Sequence, residues 1–470
     1  MDKIRKKKLN FEVKKYVVNE GASIKSALQK ISENQYGMIL IESAAGEIIG
    51  IATDGDIRKA LLKGVVIEDD ISNCVNYEFI SAAIDTPREQ LIKRLDSQIR
   101  VIPIIDKSGK LHSIISKDHF PLEEEKSIYI RSRAPVRISF GGGGSDLTHY
   151  FQSSSGAVIN TAISIYSHSA MRVRSDSRII VSSLDLGAEL IADDLEDALS
   201  QKGPFGLIQS LLSVVQPKFG FELCLNSDFP VGSGLGGSAT ICAVVLGCFN
   251  ELRKDQWSQH EIAEIAFQAE RLHLGISGGW QDQYAAVFGG FNFIEFNADE
   301  NIINPIRVQS DIARELEESL VLCDTGIEHH SGNIHDNQKE TMASESVREM
   351  VKANVALSYE TRNFLLRGDL QKFGECLDKA WKLKRNFSSM ISNVHLDAIY
   401  DGAINNGAIG GKLLGAGGGG FFIFYVEPFR KHALMNYLES KKLTLQPFRF
   451  EPDGLKTWTS RDNIDHSSGE

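Results

Sequence analysis

The stretch "PVGSGLGGSATICAVV", residues 230–245, carries Gly232, Gly234 and Gly237 in the G-x-G-x-x-G spacing of a dinucleotide-binding loop. Beyond Ser238, apolar residues recur at Ile241, Val244, Val245, Cys248, Phe249 and Leu252, the rhythm of a helix with one buried face. A glycine loop feeding a helix N-terminus offers unpaired N–H groups and the positive end of the helix dipole, which together suit phosphate. A dinucleotide fold also needs a strand running directly into the first glycine. Here "NSDFP" comes first, and Pro230 with its polar neighbours interrupts any such strand. Glu251 lies at the distance of a ribose-binding acid but falls on the helix rather than at a strand end. No Lys-Ser/Thr follows the last glycine, so this is not a Walker A loop either. The spacing points to a phosphate; its context points away from a dinucleotide.

Two further glycine islands flank this one. In "SRAPVRISFGGGGSDLTHY" an alternating strand, residues 135–140, runs into four glycines and then Ser145-Asp146. Glycines let the backbone approach a ligand, and the acid can accept hydrogen bonds from sugar hydroxyls, although a tight turn with Asp146 as a helix N-cap fits the same spacing. In "GGKLLGAGGGGFFIFYV" seven glycines lie between Gly410 and Gly420 and lead into a buried-type strand. Such a run costs backbone entropy that a simple corner need not incur.

At 470 residues the chain is long enough for two or three domains. An apolar fraction of 42%, a charged fraction of 24% and a net charge of -11 describe a globular protein with no basic face for nucleic acid. The basic cluster from Lys3 to Lys8, with Lys14 and Lys15, lacks interleaved aromatics and reads as a solvated arm. No apolar run approaches the roughly 20 residues that span a bilayer, and no secretory leader follows the basic start. Six cysteines without a C-x-x-C pair suggest neither zinc nor a disulfide framework, so a cytoplasmic location is expected.

Residues 10–118 contain a sequence repeat. Its two units, ending "IIGIATDGD" and "LHSIISKDH", each place a hydroxyl residue where an apolar strand gives way to a helix. They resemble a tandem pair of CBS domains, and the resemblance implies adenine-nucleotide binding, with dimerisation through the pair. The first unit keeps the matching Thr53 and Asp56; the second has Ser116 but His119, which departs from the pattern. A purely structural or oligomer-forming module fits equally well. The acidic, proline-containing "HFPLEEEKS", residues 119–127, reads as the boundary.

Together the three islands resemble the motifs of the GHMP kinases. The first motif matches Pro135, Arg137, Gly141 to Gly144 and Asp146; the second matches Pro230, Gly234, Leu235, Gly236, Gly237, Ser238 and Ala239; the third matches Gly415 to Gly420. The resemblance covers roughly residues 130–460. It implies an α+β fold of two lobes, an S5-like (ribosomal S5 domain 2-like) N-terminal half and a ferredoxin-like C-terminal half, preceded by the CBS-pair α/β module. The expected boundaries are 1–122, 123–305 and 306–470. It also implies ATP held by the second island, including Gly232 and Pro230, and Mg²⁺ held by Ser238 and Glu270. Ser258 and Glu261 form a capping box, and on the helix they start Ile262, Ala266 and Glu270 share one face. That spacing alone is equally that of a buried, paired glutamate. In "GISGGWQDQYAAVFGG" the family places its catalytic acid at Asp282, with Arg137 as its cationic partner; a helix cap is the plainer reading.

Within the family, "GGWQDQYAAVFGGFNFIEF" and "GGGGSDL" resemble the D-glycero-D-manno-heptose 7-phosphate kinases, which phosphorylate an anomeric hydroxyl on the way to GDP-activated heptose. The implied acceptor site comprises Gly143, Gly144, Asp146, Gly417 and Gly418. Lys384 and Arg385 of "WKLKRNFSS" would meet a sugar phosphate, though their spacing on a helix reads as solvated charge. The segment "DTGIEHHSGNIHDNQ" has an acid and two histidines where the resemblance leads one to expect an arginine, and His329 and His330 either hydrogen-bond sugar hydroxyls or simply line a loop. An unphosphorylated sugar such as fucose is the competing acceptor. A nicotinamide oxidoreductase and a non-catalytic nucleotide sensor are the readings from other classes.

Overall fold

The computed structural model describes residues 13–95, 99–116, 120, 128–327 and 331–461. The basic arm at 3–8, His119, His329, His330 and residues 462–470 lie outside them. The chain divides into two compact units, Met1–Glu125 and Lys126–Glu470. No helix among the described residues is long and apolar enough to cross a membrane. All six cysteines are free thiols, and only Cys224 is exposed.

In the first unit, the strands Val17–Asn19, Met38–Glu42 and Ile48–Thr53 form a sheet in chain order, the first pair parallel and the second antiparallel. The strands Ala82–Ala83, Val101–Ile105 and Leu111–Ser116 repeat that order and those directions. Strand Ile48–Thr53 alternates buried and half-buried positions, as a strand with one covered face must. Leu111 and Ile114 of the second repeat pack with Val17, Met38 and Leu40 of the first. The two repeats therefore share a core.

Thr53 closes the first sheet and caps the helix Asp54–Leu61. Its hydroxyl donates to Asp56 at 2.6 Å and accepts from the Asp56 amide at 3.2 Å, while the Thr53 amide donates to the Asp56 carboxylate at 3.1 Å. The hydroxyl-to-acid spacing is thus occupied by a reciprocal capping box.

In the second unit, an eight-stranded sheet is built on the long strand Gly156–Val173, which pairs with Ile128–Gly141, Phe221–Ser227 and Phe291–Phe296. The helix Gly237–Glu251 lies against this sheet and buries residues all round its circumference, as a helix inside a core does. Ser132 anchors it by donating to the carbonyl of Val244 at 2.7 Å. The remaining sheet has four antiparallel strands in the order Ala408–Leu413, Phe421–Val426, Leu320–Asp324, Thr444–Leu445. Its central strand "FFIFYV" is buried throughout. Phe422 and Phe424 face one core cluster, and Phe421 and Ile423 the other. The strand Lys456–Arg461 returns and pairs with Ile128–Gly141, so the end of the chain completes the sheet with which this unit begins.

Replacing Thr53 by Ala removes the cap and should cost about 1 kcal/mol locally. Amide hydrogen exchange in residues 54–61 should accelerate roughly fivefold by that measure. Unchanged exchange there would show that the box does not hold the helix.

Candidate active site

Arg137 sits on the strand Ile128–Gly141 and is 3% exposed. Its Nε and one terminal nitrogen donate to the two carboxylate oxygens of Asp282, both at 2.8 Å, and the other terminal nitrogen donates to the carbonyl of Gly234 at 2.7 Å. One guanidinium thus joins the first motif, the glycine loop and the first turn of the helix Gln281–Phe288. A bidentate fork fixes the carboxylate plane as well as its position. The Asp282 side chain remains 20% exposed, toward the cavity it lines.

Asp146 approaches the same place from the strand's other end. It is buried, accepting from the amides of Gly144 at 3.1 Å and Gln281 at 3.4 Å. Burial, and then the neighbouring Asp282, push its carboxyl up from the usual range. Any side chain at position 279 would begin 1.8 Å from the Asp146 carboxylate, so "GGWQD" needs glycine there to let the acid in. Trp280 is held against Phe267, ring centroids 3.6 Å apart, and its indole N–H donates to Thr148 at 3.1 Å. Asp282 therefore starts its helix from a fixed support.

The loop of residues 230–236 has no strand running into its glycines, because Phe221–Ser227 has already ended. Gly236 takes the N-cap position in the left-handed conformation, φ 86°, and no side chain caps the helix. The first amides of that helix face the cavity lined by Gly236, Gly237, Ser238 and Ala239. Of the remaining residues expected here, Leu235 is buried in a core cluster, and Pro230 is exposed and does not line the cavity.

Glu270 reaches the site by a different geometry from the one its spacing suggests. The α-helix stops at Phe267, and Gln268–His273 continues as a π-turn, with Leu274 donating to the Ala269 carbonyl. Such a bulge inserts a residue and turns the following side chains, and it occurs often at functional sites. The Glu270 carboxylate accepts from Gln283 at 2.7 Å, lies 3.4 Å from Arg271 and is close to the Ser238 hydroxyl. Burial raises its pKa; Arg271 opposes and Asp282 adds to the rise. The buried amide oxygen of Gln281, which also lines the cavity, has no partner among the described residues. A buried carboxylate, a hydroxyl and an unsatisfied oxygen are a hard donor set that fits Mg²⁺, an ion that takes few protein ligands and completes its shell with phosphate and water.

Lys384 overturns the solvated reading. It continues the stripe Phe373, Leu377, Ala380 and Trp381 on the helix Leu370–Lys384, is 4% exposed, and donates to the Gly415 carbonyl of the third island. Burial, then Arg137, push its ammonium down to about 8, against the pull of Asp146 and Asp282. Arg385 turns away, lies 3.6 Å from Asp397 and does not line the cavity. Nor do Gly417 and Gly418, which pack on the turn at Ile391, where the Gly418 amide donates to the Ile391 carbonyl at 2.8 Å. Gly143, Gly144 and Asp146 do line it.

These groups surround one cavity of about 280 Å³. One end is apolar, with Leu186, Phe205, Ile208 and Leu225, and suits a nucleobase. The other holds Arg137, Asp146, Glu270, Asp282 and Lys384. Sequence spacing did not single out Arg271, His335, Gln338 or the apolar end, which come from segments with no local signature.

Residues 206–290 match the GHMP kinases N terminal domain, and residues 362–441 match the GHMP kinases C terminal domain. The chain is 37% identical over 335 residues to the D-glycero-alpha-D-manno-heptose 7-phosphate kinase of Campylobacter jejuni, a match covering 70% of this chain and 98% of that protein. The chain belongs to the GHMP kinases. Residues 12–63 match the CBS domain, so this GHMP kinase carries a CBS module at its N-terminal end. It is also 28% identical to the L-fucokinase/L-fucose-1-P guanylyltransferase of Bacteroides fragilis, over 67% of this chain and 36% of that longer protein. A crystal structure of a D-glycero-D-manno-heptose 1-phosphate kinase from Bacteroides thetaiotaomicron superposes with a TM-score of 0.58 at 29% identity, covering 70% of this chain and 98% of that one. As a GHMP sugar kinase, the chain uses ATP to phosphorylate a sugar hydroxyl, and the nicotinamide reading of its glycine loop falls away.

Lys384 is charged below its pKa and loses that charge as the pH rises through about 8. The ratio kcat/KM reports groups of the free enzyme, so it should fall above about pH 8. Lys384→Met should be slower at neutral pH and lack this alkaline limb. A limb that persists in the variant would assign it to another group.

Proposed function

We propose that this kinase transfers the γ-phosphoryl group of ATP to the anomeric C1 hydroxyl of a sugar, with D-glycero-D-manno-heptose 7-phosphate as the acceptor and the 1,7-bisphosphate as product. This reaction would feed the synthesis of nucleotide-activated heptose. The observation that carries the proposal is the Arg137–Asp282 fork, open to the same cavity as Lys384 and the glycine loop. The likeness to the C. jejuni heptose 7-phosphate kinase over nearly its whole length supports the choice of sugar.

In this reading Asp282 orients the attacking hydroxyl and accepts its proton as the new O–P bond forms and the bond from Pγ to the β-phosphate oxygen breaks, releasing ADP. Arg137 keeps the Asp282 carboxylate in place and offsets charge on the transferring group. The amides at the start of the helix Gly237–Glu251 cradle the phosphates. Ser238 and Glu270 would hold Mg²⁺, which would offset the negative charge of the phosphates. Asp146 accepts from acceptor hydroxyls, and Lys384 provides positive charge for an anionic acceptor. An unphosphorylated sugar such as L-fucose is the second reading, favoured by the likeness to the B. fragilis fucokinase.

ADP release with heptose 7-phosphate, heptose and L-fucose separates these readings: preference for the first supports the 7-phosphate acceptor, and preference for fucose replaces it. Silence on all three would leave a nucleotide-binding protein without this activity. Asp282→Ala should lower kcat on the order of 10³-fold with ATP binding nearly intact; substantial residual turnover would remove Asp282 as the base. Glu270→Gln, close to isosteric, should raise the Mg²⁺ concentration for half-maximal rate tenfold or more, roughly the scale of a damaged metal site. An unchanged Mg²⁺ dependence would refute the ligand role.

A further inference from the structure

We infer that His335 reads a hydroxyl group of the acceptor sugar by accepting a hydrogen bond at Nε2, and that Gln338 is the positioning residue that sets the imidazole's tautomer. The inference rests on the kinase reading above and names a specificity residue within it.

Both side chains lie on the helix Ser331–Thr341, three positions apart and so on one face, and both line the cavity. Gln338 is 1% exposed, and its amide nitrogen donates to the Ala416 carbonyl of the third glycine island at 3.2 Å. A carbonyl oxygen can only accept, so the Gln338 nitrogen must face Ala416 and its Oε1 must face away. That Oε1 lies 3.2 Å from His335 Nδ1. It too can only accept, so Nδ1 carries the proton. A neutral imidazole has a single N–H, which leaves Nε2 with a lone pair. Among the described residues, nothing donates to it.

The ring stays neutral for a reason visible around it. Burial and the two cations Arg271 and Lys384 push its pKa down to about 4, and the opposing effects of Gln338 and Asp282 are smaller. The same neighbours locate the imidazole at the catalytic end of the cavity, not at the apolar end around Phe205 and Ile208. A lone pair there matches a hydroxyl hydrogen and repels an anionic oxygen. The ligand group is therefore a sugar hydroxyl close to the reacting one, and an anionic oxygen would be met by the neighbouring cations rather than by the imidazole. The helix bearing His335 is tied down beside the cavity: Ser277 donates to Asp336, and Ser388 to Asn337. The position of Nε2 is thus set from both sides of the cleft.

The test uses the full-length protein and whichever acceptor of the sugar panel it turns over, with monodeoxy analogues of that sugar. His335→Leu should raise the sugar KM about 10- to 100-fold, the scale of an unmade buried hydrogen bond, with the KM for ATP nearly unchanged. One monodeoxy analogue should lose a comparable factor in wild type and nothing further in His335→Leu. His335→Gln, which can return an amide oxygen to the Nε2 position, should recover part of the loss. Gln338→Leu, which frees the tautomer, should raise the sugar KM, and the same monodeoxy analogue should lose less in it than in wild type. An unchanged sugar KM in an active His335→Leu or Gln338→Leu protein, or equal losses for every analogue in wild type and variant, overturns the inference. Absence of turnover by the wild type on every sugar counts instead against the kinase reading.

Discussion

The site depends on one guanidinium. Arg137 stands at the junction of three segments that are remote in sequence, and it donates to the Asp282 carboxylate and the Gly234 carbonyl at once. The amide of Arg137 also donates to Leu235, so the glycine loop is tied to the strand through both backbone and side chain. Removing a buried guanidinium would leave the carboxylate without its counter-charge and the loop without its anchor, and such a loss exceeds the net worth of the pair itself. A lysine could keep the charge but not the planar fork. The glycine loop and the Asp282 carboxylate are positioned by the same contact, so on the proposed reading the donor and acceptor halves of the reaction would share one register.

Around that contact, side chains have been cleared to admit charge. Glycine at 279 leaves room for Asp146, and glycine at 278 leaves room for the Arg271 guanidinium, which would otherwise be 2.3 Å from a side-chain carbon. The π-turn at Gln268–His273 serves the same end by turning Glu270 toward Ser238. Packing density in a core leaves little space for such groups, and each of these devices gives up local regularity to create it.

How much of this was legible in the sequence follows from how local each signal is. The three glycine islands, the helix after Ser238 and the paired strands of the N-terminal repeat could be read directly, because each is a periodicity or a run within a short window. The α-helical spacing from Ile262 and Ala266 places Glu270 on a buried face, and it is buried, but it arrives through a π-turn that the spacing does not show. Lys384 was legible in principle, since Phe373, Leu377 and Trp381 precede it on one stripe, but a lysine at a helix end ordinarily reads as solvated. Its neighbour Arg385 falls one position round the helix and leaves the site for Asp397. Gly417 and Gly418 looked like a cradle and instead pack against Ile391. His335, and the return of Lys456–Arg461 to the first strand of its unit, depend wholly on tertiary placement, which no local pattern carries.

The balance of charge at the catalytic end gives Glu270 its meaning. Arg137, Arg271 and Lys384 face Asp146, Glu270 and Asp282, so the side chains there are formally close to neutral before any ligand arrives. A triphosphate adds several negative charges to that space. The glycine-loop amides meet part of this charge, and their dipole is worth on the order of 1–2 kcal/mol in partly buried settings, far from the whole. A carboxylate on the wall of an anion site is doubly unfavourable, through its own desolvation and through repulsion that strengthens as the local dielectric falls. On the proposed reading a divalent cation would reverse both effects, and the Ser238 hydroxyl would offer it a second hard oxygen. Without such an ion, burying Glu270 beside a phosphate loop would only weaken nucleotide binding; with one, the same burial strengthens the cation's hold.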